Sequence, residues 1–480
     1  MKKIKVYNTL GRKKETVNPE NDRLIRIYSC GPTVYDYAHI GNLRKYLFDD
    51  LLKRTLLYFG FKVKHVMNIT DVGHLTSDAD EGEDKIQKKA KEEKKDAYEI
   101  AKFYEKAFLD DLKSLNILKP QIICRATEHI DNQIKLIEIL EKKGYTYKTS
   151  EGIYFDTSKL KDYGKLSGQK AESLKAGIRI GFSKEKRNST DFALWKFSPK
   201  GDEQKRQMEW NSPWGIGFPG WHIECSTMST KYLGQPFEIH TGGVDLISVH
   251  HTNEIAQSEA AFDKPLAKYW LHSEFVLENR RKMAKSAGHF IRLKDLENKS
   301  FSPLDFRMLA LSSHYRTKLD FTLDSLSAAR EARKKLLEFS AKFSLKQSQE
   351  EEKFFNSKLS EFESALADDL DSPKALAIIF TAINQANRDQ YFGLAALNFI
   401  AKIEKIFALG LGKEKVRVID TKLGLKALGD IPKEILELVK KRQQLRNNKK
   451  FNEADKLRKR IGQKGFAVED KDKFIIIRKS

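Results

Sequence analysis

The sequence predicts an α/β protein: a Rossmann-type parallel-sheet catalytic domain with an inserted connective domain, followed by a helical bundle and a small basic C-terminal domain. Three observations predict it. An apolar run, an amphipathic stretch and a second apolar run succeed one another within residues 24–70, the order of a right-handed βαβ unit. A third apolar run, PFEIHTGGVDLI, returns only after a long irregular stretch. From Leu323 to Leu409 the apolar spacing is almost entirely helical.

Taken in order, MKKIKVYNTLGRKKETV reads as a first strand; it has basic residues but no apolar core of a signal peptide. LIRIYSC is a buried strand that runs into the loop GPTVYDYAHIGN. The helix LRKYLFDDLLKRTLLYFGF sets Leu43, Leu47, Leu51 and Tyr58 along one stripe, and Gly60 ends it. KVKHVMNIT is the second strand. One charged helix is expected from about Asp84 to Leu115, with Ala97, Ile100, Tyr104, Phe108 and Leu112 at helical spacing. Short strands and turns, GIYFDTS and DFALWKF among them, mark an insertion around which the sheet closes. A linker, GLGKEKVRVIDTKLG, leads to one basic helix, KEILELVKKRQQLRNNKKFNEADKLRKRIGQKG, and a last strand, KFIIIRK. The division that follows is 1–125 and 206–265 for the two halves of the catalytic domain, 126–205 for the insertion, 266–320 for a linking region, 321–411 for the bundle and 412–480 for the basic domain.

The chain has 480 residues and 40% apolar content, with 88 basic and 67 acidic residues for a net charge of +21. That excess suits a polyanion, because each neutralised phosphate releases a counterion; a lysine-rich surface of solvated helix faces fits equally. No run of about 18 apolar residues indicates a membrane span, and a cytoplasmic protein is expected. Three cysteines, Cys30, Cys124 and Cys225, are too few and too far apart for a disulfide framework. Cys124, in QIICRATEHI, reads as a small buried hydrophobe.

Two segments suggest phosphate chemistry. Ala38-His39-Ile40-Gly41-Asn42 stands at the mouth of a helix, where free N–H groups and the helix dipole attract anions. Gly41 lets a nucleotide approach the backbone and His39 can donate to a phosphate, although a satisfied loop histidine is an equal reading. Arg281-Lys282-Met283-Ala284-Lys285-Ser286-Ala287-Gly288 is a basic loop able to bring charge to a leaving pyrophosphate and to open afterwards; a surface basic turn is the plain alternative.

Together, in this order, the pair resembles the "HIGH" and "KMSKS" signatures of class I aminoacyl-tRNA synthetases. YSCGPTVYDYAHIGN, NITDVGHL, TDFALWK, GFPGWHIECSTMS, FEIHTGGVDLISVHHTNEIAQSEA and YWLHSEFVLENRRKMAKS are similar to the cysteinyl branch of that family. Asn42 stands where the family has a second histidine, and Ala284 where it has a serine. The resemblance implies that L-cysteine and ATP, with Mg²⁺, form an adenylate, and that the cysteinyl group passes to the 3′ end of a cysteine-accepting tRNA; no DNA or membrane partner is implied. His39, Asn42, Lys282 and Lys285 would serve the phosphates, and Gly41, His240, Gly243, Asp245, Lys285 and Ser286 would hold the nucleotide. Thr70 and Trp221 would line the amino-acid pocket. Trp221 could equally be core, and Asp245 a helix cap.

The same blocks hold Cys30, Cys225, His250 and Glu254, which match the family's zinc ligands and imply one Zn²⁺ per chain. His250 and Glu254 are four apart, so a helix presents both on one face; His251 is the rival to His250 but lacks that spacing. The implied use is specificity. A pocket separates near-isosteres such as cysteine and serine by only about 10–200-fold, whereas translation needs roughly 10⁴-fold, about 5.5 kcal/mol. A soft thiolate on zinc can supply the difference. The C-terminal residues 431–480 carry 16 basic and 7 acidic side chains, which suits RNA, with anticodon contacts not assignable. Two alternatives share these blocks: a ligase joining cysteine to an amino-sugar, as in mycothiol synthesis, and a non-catalytic RNA-binding paralogue.

Overall fold

The computed structural model describes residues 2–19, 23–73, 84–168, 185–199, 206–278, 281–282, 290–342, 348–411, 417–420, 426–428, 432–471 and 474–479. The chain forms two compact units, 1–329 with 364–373 and 330–363 with 374–480. The catalytic, inserted and linking segments expected from the sequence therefore pack within one unit.

That first unit is built on a five-stranded, all-parallel sheet: β1 (Leu24–Ser29), β2 (Lys62–Ile69), β3 (Ile122–Arg125), β4 (Phe237–Gly243) and β5 (Ala267–Ser273), in the spatial order β5-β4-β1-β2-β3. The order reverses between β1 and β4, and in open sheets ligands bind at the carboxyl ends of the strands beside such a reversal. Buried Ile25, Ile27, Val66, Phe237, Ile239 and Trp270 fill the sheet faces.

Between β1 and β2 runs α1 (Ile40–Tyr58), closed by Phe59 and by Gly60 at φ 83°. Leu43, Leu47 and Leu51 are buried as the stripe requires, but so are Arg44, Lys45, Asp49, Asp50 and Lys53. These charges survive burial because they are paired. Asp50 takes Arg54 at 2.7 Å and Arg307 at 2.5 Å. Arg44 donates to the carbonyls of Glu274, Phe275, His314 and Thr317, and burial lowers its pKa to about 10.

Several expected elements are divided differently. The charged stretch after β2 is two helices, α2 (Lys85–Glu93) and α3 (Ala97–Ser114): Lys94 takes a left-handed φ of 53°, and Asp96 starts α3 with a capping box closed by Glu99. The N-terminal segment is a hairpin of Lys5–Asn8 and Lys13–Thr16, not one strand. The insertion opens with α4 (Ile130–Lys142) and carries an antiparallel sheet whose last strand, Gly217–Pro219, lies beyond residue 205. Its Ile153, Phe155, Leu194 and Trp195 share one core with Tyr28, Val66 and Trp270 of the main sheet. The chain returns through α5 (Trp221–Leu233) to β4, and α6 (His250–Phe262) then leads to β5.

Helices Leu323–Ala341, Gln349–Ala367, Ser372–Asp389 and Leu394–Phe407, most of whose residues belong to the second unit, follow one another as the spacing predicts. The basic stretch is again two helices, Lys433–Asn447 and Phe451–Gln463, broken where Lys449 adopts φ 58°. Part of the expected linker is a strand, Arg417–Asp420, paired with the final strand Phe474–Lys479. Ile435, Val439, Ile461, Phe466, Val468, Ile475 and Ile477 form its small core. Among the described residues no helix is long and apolar enough to cross a membrane.

Candidate active site and metal centre

A cleft of about 820 Å³ opens at the carboxyl ends of β1 and β4, lined among others by Cys30, Thr33, His39, Asn42, Gly243 and Asp245. His39 is the N-cap of α1. Its Nδ1 accepts from the Asn42 amide at 3.2 Å, and Asn42 Oδ1 accepts from the His39 amide at 3.3 Å. Asn42 therefore closes a reciprocal capping box, which presets the helix mouth and the His39 ring. A Cβ on Gly41 would stand 2.8 Å from that ring, so glycine leaves the ring where the box sets it. The Ile40 amide donates to the carbonyl of Ile291, past the basic loop. Lys282 ends a short strand antiparallel to Val276–Glu278; Lys285 and Ser286 lie outside the described residues.

Behind the Cys30 wall of the cleft, three distant pieces of sequence converge. Cys30 follows β1 directly, Cys225 lies on α5, and His250 and Glu254 lie on the first turns of α6. The two sulfurs are 3.9 Å apart, Cys30 Sγ is 3.7 Å from Glu254 Oε1, and His250 Nε2 is 3.0 Å from that same oxygen. All four are buried, and their donor atoms lie within 4.8 Å of one another. An overlapping set, Cys30, His240, His251 and Glu254, meets the same distance. Two sulfurs, one imidazole and one carboxylate suit a four-coordinate soft-to-borderline ion such as Zn²⁺; the overlapping set offers a single sulfur.

The electrostatics show a centre that attracts positive charge. Against the burial that would strip its proton, Glu254 and Cys225 raise His250 to about 10. Burial opposes the ionisation of Glu254, yet His240 and His250 hold it down to about 2. Burial also opposes a thiolate at Cys225, but the Cys30 contact and His250 outweigh it; burial and the neighbouring Cys225 keep Cys30 protonated. The proton on His250 thus sits among anionic donors, where a divalent cation would be favoured more strongly.

Sequence reasoning missed much of what surrounds these donors. His222 Nδ1 is 3.0 Å from His250 Nδ1, and His272 Nε2 is 2.8 Å from His251 Nδ1. Burial drives His251 well below its ordinary range and His272 down to about 3, so both stay neutral. The available signal was the recurrence of histidine in GWHIECS and YWLHSE, short blocks in a chain with only 11 histidines.

The remaining expected residues are placed as follows. Trp221, half-buried, has its ring 4.4 Å from that of His250. Thr70 is buried, and its hydroxyl donates to Glu224 at 3.0 Å, next to Cys225 in sequence. Gly243 and Asp245 line the cleft. His240 is fully buried, with Nε2 2.9 Å from Glu254 Oε2 and its ring stacked on Trp270; it stands behind the carboxylate and is not one of the cleft-lining residues.

Residues 16–331 match the family model described as tRNA synthetases class I (C) catalytic domain, and residues 428–478 match the Cysteinyl-tRNA ligase anticodon binding domain. The chain is 44% identical to a Cysteine--tRNA ligase of Treponema denticola over 97% of this chain and 98% of that one. It is also 44% identical to Cysteine--tRNA ligase 1 of Burkholderia lata, over 97% and 95%. In fold it resembles the Mycobacterium tuberculosis methionyl-tRNA synthetase solved with methionyl-adenylate, at TM-score 0.57 and 12% identity, covering 81% of this chain and 92% of that one.

Proposed function

The chain belongs to the cysteinyl-tRNA synthetases, class I enzymes with cysteine–tRNA ligase activity, and from that premise we propose that it selects its amino acid at the Cys30–Cys225–His250–Glu254 centre. When bound there, Zn²⁺ would supply a soft vertex on which the substrate's thiolate outcompetes a serine hydroxyl. The cysteine carboxylate attacks the α-phosphorus of ATP; a carbon-linked oxygen–phosphorus bond forms and the bond to pyrophosphate breaks. His39 and the amide-rich mouth of α1 hold the phosphates, with Asn42 fixing the His39 ring, and Lys282, Lys285 and Ser286 serve the leaving group. Gly41, Gly243 and Asp245 receive the nucleotide with Mg²⁺, while His240 orients Glu254. Trp221 faces the amino acid over His250, and Thr70 fixes Glu224 on the Cys225 helix. A ribose hydroxyl at the tRNA 3′ end then attacks the adenylate carbonyl and AMP departs.

The observation that carries this reading is the convergence of two sulfurs, an imidazole and a carboxylate within 4.8 Å of one another, with Cys30 lining the cleft. The match of residues 428–478 to an anticodon-binding domain favours tRNA over an amino-sugar as acceptor. Zinc content and cysteine-dependent pyrophosphate exchange, measured on Cys225→Ser and His250→Ala, test it. Normal metal and normal exchange in both variants would refute the assignment. His251→Ala alongside decides between the overlapping donor sets, because it empties the site only if His251 is the ligand.

A further inference from the structure

A lysine sits against the sulfur-bearing end of this cleft, in a position where a helix facing the core would ordinarily carry an apolar residue. Lys45 is 8% exposed, and its Nζ donates to the main-chain carbonyl of Cys30 at 2.6 Å. Asp49, one turn further along α1 and 4% exposed, is 2.9 Å from the same nitrogen and holds it in place. Lys45 also lines the cleft together with Cys30, His39 and Asn42. Taking an ammonium out of water costs several kcal/mol; here the Cys30 carbonyl and the Asp49 carboxylate offset that cost, and none of the steps above uses the lysine.

Charge balance supplies a use for it. Two thiolates and a carboxylate carry three negative charges, of which a divalent cation cancels two. A substrate that binds as a thiolate adds another, beside donors that are themselves buried, where like charges repel strongly. Lys45 is the cation whose Nζ touches the Cys30 main chain, 2.6 Å from its carbonyl oxygen. We propose that Lys45 is a positioning residue for amino-acid selection: it anchors the Cys30 arm of the donor set and offsets the negative charge that the substrate's sulfur brings. The inference rests on the sulfur-selecting reading above.

The test uses the full-length, zinc-loaded protein with Lys45→Met, which keeps the stem and removes the charge, and with Lys45→Arg. Lys45→Gln, which keeps a donor for the Cys30 carbonyl, repeats the measurement if Lys45→Met fails to fold. Zinc content is measured first, then the KM values for cysteine and ATP in pyrophosphate exchange and the inhibition constant of serine. The expected result is retained zinc and a KM for cysteine raised about tenfold or more, equivalent to about 1.4 kcal/mol. The ATP and serine constants should stay within about twofold, because neither the nucleotide nor a neutral hydroxyl brings charge to the sulfurs. Lys45→Arg should recover most of the loss, and in cobalt-substituted protein the sulfur-to-cobalt absorption should saturate at correspondingly higher cysteine. Equal weakening of cysteine and serine, loss of zinc from the charge-removing variant, or unchanged cysteine KM would each overturn the proposal. Cys225→Ser run in parallel separates the two readings. If it keeps its zinc, sulfur selection itself fails; if it loses zinc while the Lys45 variants behave as wild type, only the role of Lys45 fails.

Discussion

Replacing Glu254 with glutamine keeps the volume of the side chain and removes the charge that both donor sets share. Glu254 holds His240 at 2.9 Å and His250 at 3.0 Å. His250 is raised to about 10, and moving it back to about 6.5 corresponds to roughly 5 kcal/mol. Glu254 and Cys225 share that stabilisation, so the carboxylate contributes about 2–3 kcal/mol, close to the 3–5 kcal/mol that breaking a buried pair typically costs. A loss of about 2–4 kcal/mol is therefore expected at pH 7. The pH dependence has a defined sign. Stability from a raised histidine is complete below about 6.5 and is lost as the pH rises to about 10. Stability from a carboxylate held at about 2 is present above its ordinary value near 4.5 and is lost as the pH falls. The gap between wild type and Glu254→Gln should thus be widest between about pH 4.5 and 6.5 and close in both directions. Urea denaturation of chelator-treated protein across that range measures it. A gap that stays constant from pH 7 to pH 10, or one below about 0.5 kcal/mol at pH 7, refutes the reasoning.

Other outcomes follow from the same geometry. Cys225→Ser should lower discrimination between cysteine and serine from roughly 10⁴-fold to about 10–200-fold, read as the ratio of kcat/KM values in pyrophosphate exchange. Gly41→Ala places a Cβ 2.8 Å from the His39 ring and should displace it, reducing kcat for adenylation by about 10²-fold with zinc content unchanged. Asn42→Ala opens the capping box on α1 and should cost about 1 kcal/mol of stability in thermal denaturation, whereas Asn42→Ser, which keeps a side-chain oxygen, should cost less. Arg307→Met removes one of the two arginines paired with buried Asp50 and leaves Arg54, so it should cost about 1.5–3 kcal/mol, seen as a lowered urea midpoint.

What the sequence made legible follows physical range. The β1–α1–β2 unit was readable because a period of 2 and a period of 3.6 are local, and Gly60 punctuates the helix. The His250–Glu254 pair was readable because four residues is one helical turn. The breaks at Lys94 and Lys449 were hidden: lysine rarely takes a left-handed φ, and the Asp96–Glu99 box lies inside a stretch whose apolar spacing continues across it. His272 and Lys45 were not legible, since one needs the register of β5 beside β4 and the other needs α1 folded against the end of β1. Arg44 likewise meets four carbonyls from residues 274–317, a set no local pattern announces. The expected roles of Lys285 and Ser286 lie outside the described residues.

The donors come from opposite ends of the catalytic sequence: Cys30 is supplied early, and the other three arrive only after the whole inserted sheet has been synthesised. Because that sheet and the main one share one interior, the four donors meet only once the inserted sheet has packed onto the parallel one, so the donor set is a property of the whole folded unit.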